Sequence, residues 1–566
     1  MEDLRFDPFD WTSIQPRVDA LLAAELTPES VPAWLEQWAG LDAALYEAQA
    51  QVYRDTMEDT TNADADRRFN ILVEEILPKM RVAEQALREK LLAVPGYEPA
   101  PEHELLVKRF RAQRAIFSPD NVPLLSDLMK LENDFEKLMG GLLVDLDGEK
   151  VTVPAAYARL RMCADRSERE AAWRAIVGAF LAERSRLNDL YLRMFRLRRQ
   201  VAANAGLPDF RAYKWQELAR FDYTPGDCFA FHEAIAREVV PLATRIYQQR
   251  AASLGVDTLR PWDTVFDPHG EPLRPFSDVV ELEEGCQRIF DGLDPALGDY
   301  FRVMRDGNLD LASRPNKGAG GYCDNFPVSG KPYIFMNAVG SKADVETLLH
   351  EGGHAFHFMS SKDRLFWNQN GPMEFCEVAS MSIELLAAPY LRKEQGGFYD
   401  RRDAARAYAD HLEEIVTFLP YMAVVDAFQH WVYAAAPEDV TAADLDAKWS
   451  ALRDQFMPGL DVSGLEDARA TGWHQKEHIF SAPFYYIEYG LAQLGALQIW
   501  RNALRDPAAA LSDYRRALAL GYTRGPAGLF AAANARFAFD RSLLRELMAA
   551  IEGELATAWR EISAAY

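Results

Sequence analysis

Residues 341–359, SKADVETLLHEGGHAFHFM, constrain the chain more tightly than any other stretch. Ser341 and Asp344 stand in the S-x-x-D spacing that caps a helix N-terminus, which predicts a helix from about Lys342. Along that helix Val345, Leu348, Phe356 and Met359 form an apolar stripe, while His350, His354 and His357 fall on nearly the opposite side. One face must therefore meet a core and the other a polar site. Gly352 and Gly353 lie in the helix interior, where each costs about 0.8–1 kcal/mol relative to alanine, so another group is expected to approach this backbone closely.

Cβ atoms four residues apart on a helix are about 5–6 Å apart, so the imidazoles of His350 and His354 can converge on one metal ion. Glu351 beside them can take a proton from water and later return it to a leaving amine. The HExxH spacing is specific, since only 10 of 566 residues are histidine. Another His-Glu pair, His232–Glu233, is followed at the fourth position by Ala236 and has no second ligand. A catalytic ion needs a third protein ligand. Position 360 is Ser360, which removes the option of a third histidine ten residues after the first and leaves a glutamate from another helix. The segment GPMEFCEVASMSIELLAAPYL (371–391) supplies Glu374, Glu377 and Glu384, with Glu377, Ser380 and Glu384 on one helical face. Spacing alone leaves Glu374 and Glu377 as alternatives.

The rest of the chain frames this pair of helices. A length of 566 residues exceeds what one core supports, so two intertwined lobes are expected, an N-terminal helical region over 1–200 and a catalytic region over 201–566. Helical periodicity runs through 33–95, 124–205 and from Ser341 to Tyr566, with a hairpin expected in LVDLDGEKVTVP (143–154). Between Leu259 and Gly340, glycine and proline cluster around short β-like runs, the texture of a small sheet with mobile loops. In PYIFMNAV, Tyr333, Phe335 and Asn337 alternate with Ile334, Met336 and Ala338, which fits either an edge strand able to pair with an extended peptide or a buried strand. The run Gly318-Ala319-Gly320-Gly321 lacks the ending of a phosphate-binding loop and fits a loop covering substrate. In HIFSAPFYYIEYG (478–490), Pro483 is placed in the first turn of a helix presenting Tyr485 and Tyr489 on one face with Tyr486 offset. Their hydroxyls, and His478, can donate to the oxyanion formed when water attacks a peptide carbonyl, whereas Tyr486 equally suits aromatic packing.

A net charge of −24 repels phosphate backbones and anionic lipid surfaces, so neither nucleic acid nor a membrane is an expected partner. The five cysteines form no CxxC pair, the first residues carry no basic and apolar leader pattern, and no apolar run reaches the length of a membrane span. A reducing cytoplasm is expected.

HEGGHAFH at 350–357 followed by EVASMSIE at 377–384 resembles the thimet oligopeptidase, neurolysin and oligoendopeptidase F family of zinc metallopeptidases, which carries HExGHxxH and then ExxSxxxE. The stretches RFDYTPGD (220–227), PWD (261–263), NKGAGGYC (316–323), PYIFMNAVG (332–340) and HIFSAPFYYIEYGLAQLGALQIW (478–500) extend the resemblance over roughly residues 130–565, closest to the oligoendopeptidase F branch. It implies a mostly α-helical, two-lobed shell around a deep channel, with a small β-sheet beside the HExxH helix. It also implies one zinc ion per chain held by His350, His354 and Glu377, with Glu351 as base and His357, Ser380 and Glu384 around the ligands. His478, Tyr485 and Tyr489 would face substrate, and Tyr333, Asn337, Ala338, Gly320, Gly321 and Tyr486 would help bind it. The implied activity is hydrolysis of internal bonds in short unfolded peptides. An aminopeptidase is the nearest alternative, but GPMEF at 371–375 only loosely matches the amine-capturing motif it needs. A non-catalytic helical peptide-binding protein is disfavoured by the intact Glu351. Oligomeric state is not legible in the sequence.

Overall fold

The computed structural model describes residues 6–564. Helix dominates them, and the strands fall into one two-stranded and one three-stranded sheet, as the helical period of most of the chain predicts. The chain folds into two compact units, each built from three segments. The first takes the chain up to Pro119, Leu273–Ala404 and Ala492–Phe537; the second takes Asp120–Pro272, Ala405–Leu491 and the chain from Ala538.

In the first unit, the helices Val31–Glu58 and Leu77–Leu92 bury Trp34, Trp38, Val52, Met80 and Leu87 in one apolar cluster. Trp38 stacks on Phe110 and meets Trp367 edge-on, which anchors this helical layer. Two π-helical turns, Leu72–Ile76 and, in the second unit, Ile235–Val239, each end two residues before a proline, Pro78 or Pro241. Proline has no N–H and clashes with the carbonyl four residues earlier, and the wider turn relieves both problems.

The three-stranded sheet belongs to the first unit. Strand β5 (Lys331–Ala338) runs parallel to β3 (Leu309–Ala312) and antiparallel to β4 (Tyr322–Phe326), in the order β3-β5-β4. The edge-strand option for PYIFMNAV is therefore corrected: β5 is the central strand, and its near-continuous apolar run is that of a strand covered on both faces. Tyr333 is buried with Ala50, Phe326 and Phe335, and its hydroxyl donates to Glu58 at 2.6 Å, so it is a core residue and not part of a peptide-binding edge. Ala338 is also buried, opposite Ala312.

In the second unit, the expected hairpin forms from β1 (Leu143–Leu146) and β2 (Glu149–Thr152), with Val144 buried beside Leu160, Phe180 and Trp262. The PWD stretch serves this core. Asp263 is fully buried and accepts from Arg166 at 2.8 Å and Arg169 at 3.3 Å. Among the described residues no helix is long and apolar enough to cross a membrane.

Candidate metal centre

The motif helix, Lys342–Ser361, starts where Asp344 accepts hydrogen bonds from the Ser341 N–H at 2.8 Å, the Ser341 hydroxyl at 3.0 Å and the Val339 N–H at 2.9 Å. The glutamate helix, Met373–Ala387, packs against it. The two interior glycines have a direct cause. A Cβ on Gly353 would lie 2.5 Å from the Ser380 Cα and 2.7 Å from the Ala379 carbonyl oxygen, and one on Gly352 would meet the Phe290 ring at 2.9 Å. Gly353→Ala is thus expected to drive the two helices apart, costing about 1–3 kcal/mol despite alanine's better helix propensity. A fall in both Tm and metal content would register it, and an unchanged Tm would contradict the contact.

That close approach brings the ligand-type atoms together. His350 Nε2 and His354 Nε2 lie 3.4 and 3.6 Å from Glu377 Oε2, and one ligand atom from each of the three lies within 4.8 Å of the others. Ligands about 2.0–2.1 Å from a tetrahedral ion stand roughly 3.3–3.4 Å apart, so the set fits one zinc-sized ion with the fourth position left to water or substrate. Glu374 is buried on the same helix but does not join this group.

The surrounding groups orient the donors. Glu384 Oε1 is 2.6 Å from His350 Nδ1, and the Cys376 carbonyl accepts a hydrogen bond from His354. The first contact leaves His350 Nε2 free to ligate. The Ser380 hydroxyl donates to Glu377 Oε2 at 3.2 Å and to the Glu377 carbonyl at 3.0 Å. His357 is buried against Phe375, its Nε2 has no hydrogen-bond partner, and burial lowers its pKa to about 3.

Glu351 is 7% exposed. Burial, helped by the carboxylates of Glu377 and Glu384, pushes it up to about 7 against the opposing pull of His350 and of the Cys323 N–H. A cation held by the neighbouring ligands would draw it back down. His354 is lowered to about 4 by burial, whereas for His350 the hydrogen bonds to Glu377 and Glu384 outweigh burial and raise it.

The glycine-rich segment, expected as a mobile loop, is anchored. Asn337 Nδ2 donates to the carbonyls of Gly318 at 2.8 Å and Gly320 at 3.1 Å. Buried Lys317 donates to the Asp310 carboxylate and to the carbonyls of Asp310, Ala312 and Met336 at 2.6–2.9 Å. Sequence reasoning missed Lys317, because a lysine beside glycines is ordinarily exposed. Gly320 has a φ of +94°, and Gly321 passes close enough to Thr347 of the motif helix that a Cβ would lie 3.2 Å from it.

In the second unit His478, Tyr485, Tyr486 and Tyr489 form one aromatic group. His478 Nε2 is 3.4 Å from the Tyr489 hydroxyl, and the Tyr485 and Tyr489 rings are 5.1 Å apart. The helix begins only at Tyr486, however, and Pro483 lies in the turn before it, which corrects the expected placement of that proline. Tyr486 is buried against Phe418 and Tyr421, the packing alternative for this residue. Phe484, just before Tyr485, sits at φ +67°, a conformation costing a residue with a side chain roughly 1–3 kcal/mol.

Cys228, Asp426 and His430 also bring ligand-type atoms together in the second unit. Arg211 Nη1 lies 3.4 Å from His430 Nδ1, which accepts from it because a guanidinium only donates, and His430 Nε2 approaches Asp426 at 3.3 Å. His232 Nε2 approaches the same carboxylate at 2.8 Å, and the Cys228 thiol donates to the Thr224 carbonyl. This is a buried hydrogen-bond network, and it explains what the isolated His232 serves.

An HExxH helix packed against a glutamate-bearing helix is the arrangement of a metallopeptidase. The sequence profile of Peptidase family M3 matches residues 159–549, well over half of the chain. The chain belongs to that family. It is similar to an oligoendopeptidase F homolog of Borreliella burgdorferi, 25% identical over 258 residues that make up 43% of this chain and 42% of that protein. It is also similar to oligopeptidase PepF of Bacillus subtilis, 22% identical over 275 residues, 46% of this chain and 39% of that one. Each alignment spans less than half of the curated relative. Among solved structures, PZ peptidase A with an inhibitor matches with a TM-score of 0.91 at 25% identity over 98% of this chain and 99% of that one. An oligoendopeptidase F structure matches with a TM-score of 0.89 at 26% identity over 98% of each chain.

Proposed function

We propose that the protein is a zinc-dependent oligoendopeptidase that cleaves internal bonds of short unfolded peptides, with one zinc ion held by His350, His354 and Glu377. The observation that carries this reading is the single oxygen, Glu377 Oε2, lying 3.4 and 3.6 Å from the two histidine nitrogens. Two imidazoles and one carboxylate, without thiolate, are a donor set that zinc accepts in hydrolytic sites. When bound, the ion would polarise the scissile carbonyl and make water more acidic.

The chain's own groups do the remaining work. Glu351 takes a proton from the attacking water and delivers it to the departing amine. Glu384 holds His350 in the tautomer that frees Nε2, and Ser380 steadies Glu377. His478, Tyr485 and Tyr489 donate to the oxyanion. With β5 in the centre of the sheet, an extended peptide would pair instead with β4, whose Cys323 N–H bonds Glu351 and which the Gly320–Gly321 segment leads into. The five cysteines are all free, which suits a reducing cytoplasm.

The test is cleavage-site mapping on a terminally blocked peptide about ten residues long, a length an extended strand of roughly 30 Å can present. Internal cuts that stop on chelation and return with zinc are expected. Release of single N-terminal residues only, or rapid digestion of a stably folded protein, would overturn the reading. Tyr489→Phe should lower kcat by about 10²–10³ with little change in KM, since an oxyanion donor acts only after water has attacked. A tyrosine that merely packs would tolerate loss of its hydroxyl with kcat intact.

A further inference from the structure

The turn that delivers Tyr485 to the aromatic group is held by residues outside that group. Phe484 keeps its left-handed conformation with both of its peptide polar groups bound: its N–H donates to Gln429 Oε1 at 2.5 Å and its carbonyl accepts from Arg220 Nη2 at 2.5 Å. Trp215, His430 and Tyr433 close around its buried ring. The same Arg220 nitrogen donates to Glu488 Oε1 at 2.7 Å, and Glu488 lies in the first helical turn, directly before Tyr489. One guanidinium thus ties the carbonyl preceding Tyr485 to the side chain preceding Tyr489. Arg220 and Glu488 are both buried, with the guanidinium 4.6 Å above the Trp215 ring. A buried ion pair is a weak source of net stability, whereas its geometry fixes two points of the backbone.

We propose that Arg220 and Gln429 are positioning residues that hold Phe484 in the left-handed conformation and so aim the Tyr485 and Tyr489 hydroxyls. This rests on the reading of those tyrosines as oxyanion donors. Without the two hydrogen bonds only the packing of its ring is left to hold the unfavourable φ of a phenylalanine. The turn then relaxes, and Tyr485 shifts together with the first helical turn that Arg220 tethers through Glu488, beside Tyr489.

The test is a double-mutant cycle on the zinc-loaded enzyme. Gln429→Met and Arg220→Lys are each made in the wild-type chain and in a Tyr485→Phe, Tyr489→Phe chain. Measurements of kcat and KM on the blocked peptide, with Tm and zinc content, come from the same preparations. In the wild-type chain kcat is expected to fall about 10-fold or more while KM stays within about twofold and zinc is retained. In the double-phenylalanine chain neither change should lower kcat further, because the hydroxyls it acts through are gone. Unchanged kcat in the wild-type chain, or an equal loss in both chains, would overturn the positioning role. If one variant does not fold, the other carries the cycle, and failure of both to fold would make the clamp purely structural and overturn the proposal. A double-phenylalanine chain as active as wild type would instead refute the oxyanion reading, a separate result that also removes the basis for this inference.

Discussion

Glu351→Gln is expected to keep its metal and its peptide affinity and to lose turnover by at least the roughly 10²–10⁴ that a general base contributes. The change preserves shape, and Glu351 is outside the group formed by His350, His354 and Glu377, so the ligands remain in place. The amide cannot accept a proton from water at neutral pH, and the site offers it no substitute: the nearby carboxylates of Glu377 and Glu384 are engaged with the histidines. Zinc content, peptide affinity and kcat measured on one preparation decide the matter. Near-normal turnover with zinc in place would refute the base assignment, and loss of zinc would make Glu351 structural.

Glu377→Ala is expected to do the opposite and empty the site. Removing a direct donor should weaken metal binding by more than the roughly 10–100-fold that losing an outer partner costs. Two bare histidines remain, one of them already lowered to about 4 by burial, and neither supplies the negative charge that offsets a dication. Glu374→Ala is the matched control, a buried glutamate of the same helix removed from outside the ligand group. Zinc retained in Glu377→Ala but lost in Glu374→Ala would reverse the assignment.

Much of the site was legible because it depends on one helix at a time. The capping of the motif helix by Asp344, the i, i+4 histidines and the shared face of Glu377, Ser380 and Glu384 follow from helical geometry within a few residues. The glycines at 352 and 353 announced a close neighbour without naming it, since the Ser380 backbone comes from a different helix. The strand at 331–338 was ambiguous for a similar reason. An apolar run fits several sheet positions, and only its pairing with both β3 and β4 makes it central.

The sequence by itself determined the helical class, the paired histidines, the glutamate beside them and the set of candidate ligand glutamates, because those are consequences of composition and of spacing along a single helix. Tertiary structure decided which glutamate oxygen meets both imidazoles, since that depends on how two helices turn toward each other at Gly353. It also decided that Tyr333 is core and that Lys317 anchors the glycine segment. The left-handed turn at Phe484 belongs with these, because its partners Arg220 and Gln429 lie 264 and 55 residues away in sequence. Contacts across such separations are set by packing, and no local periodicity encodes them.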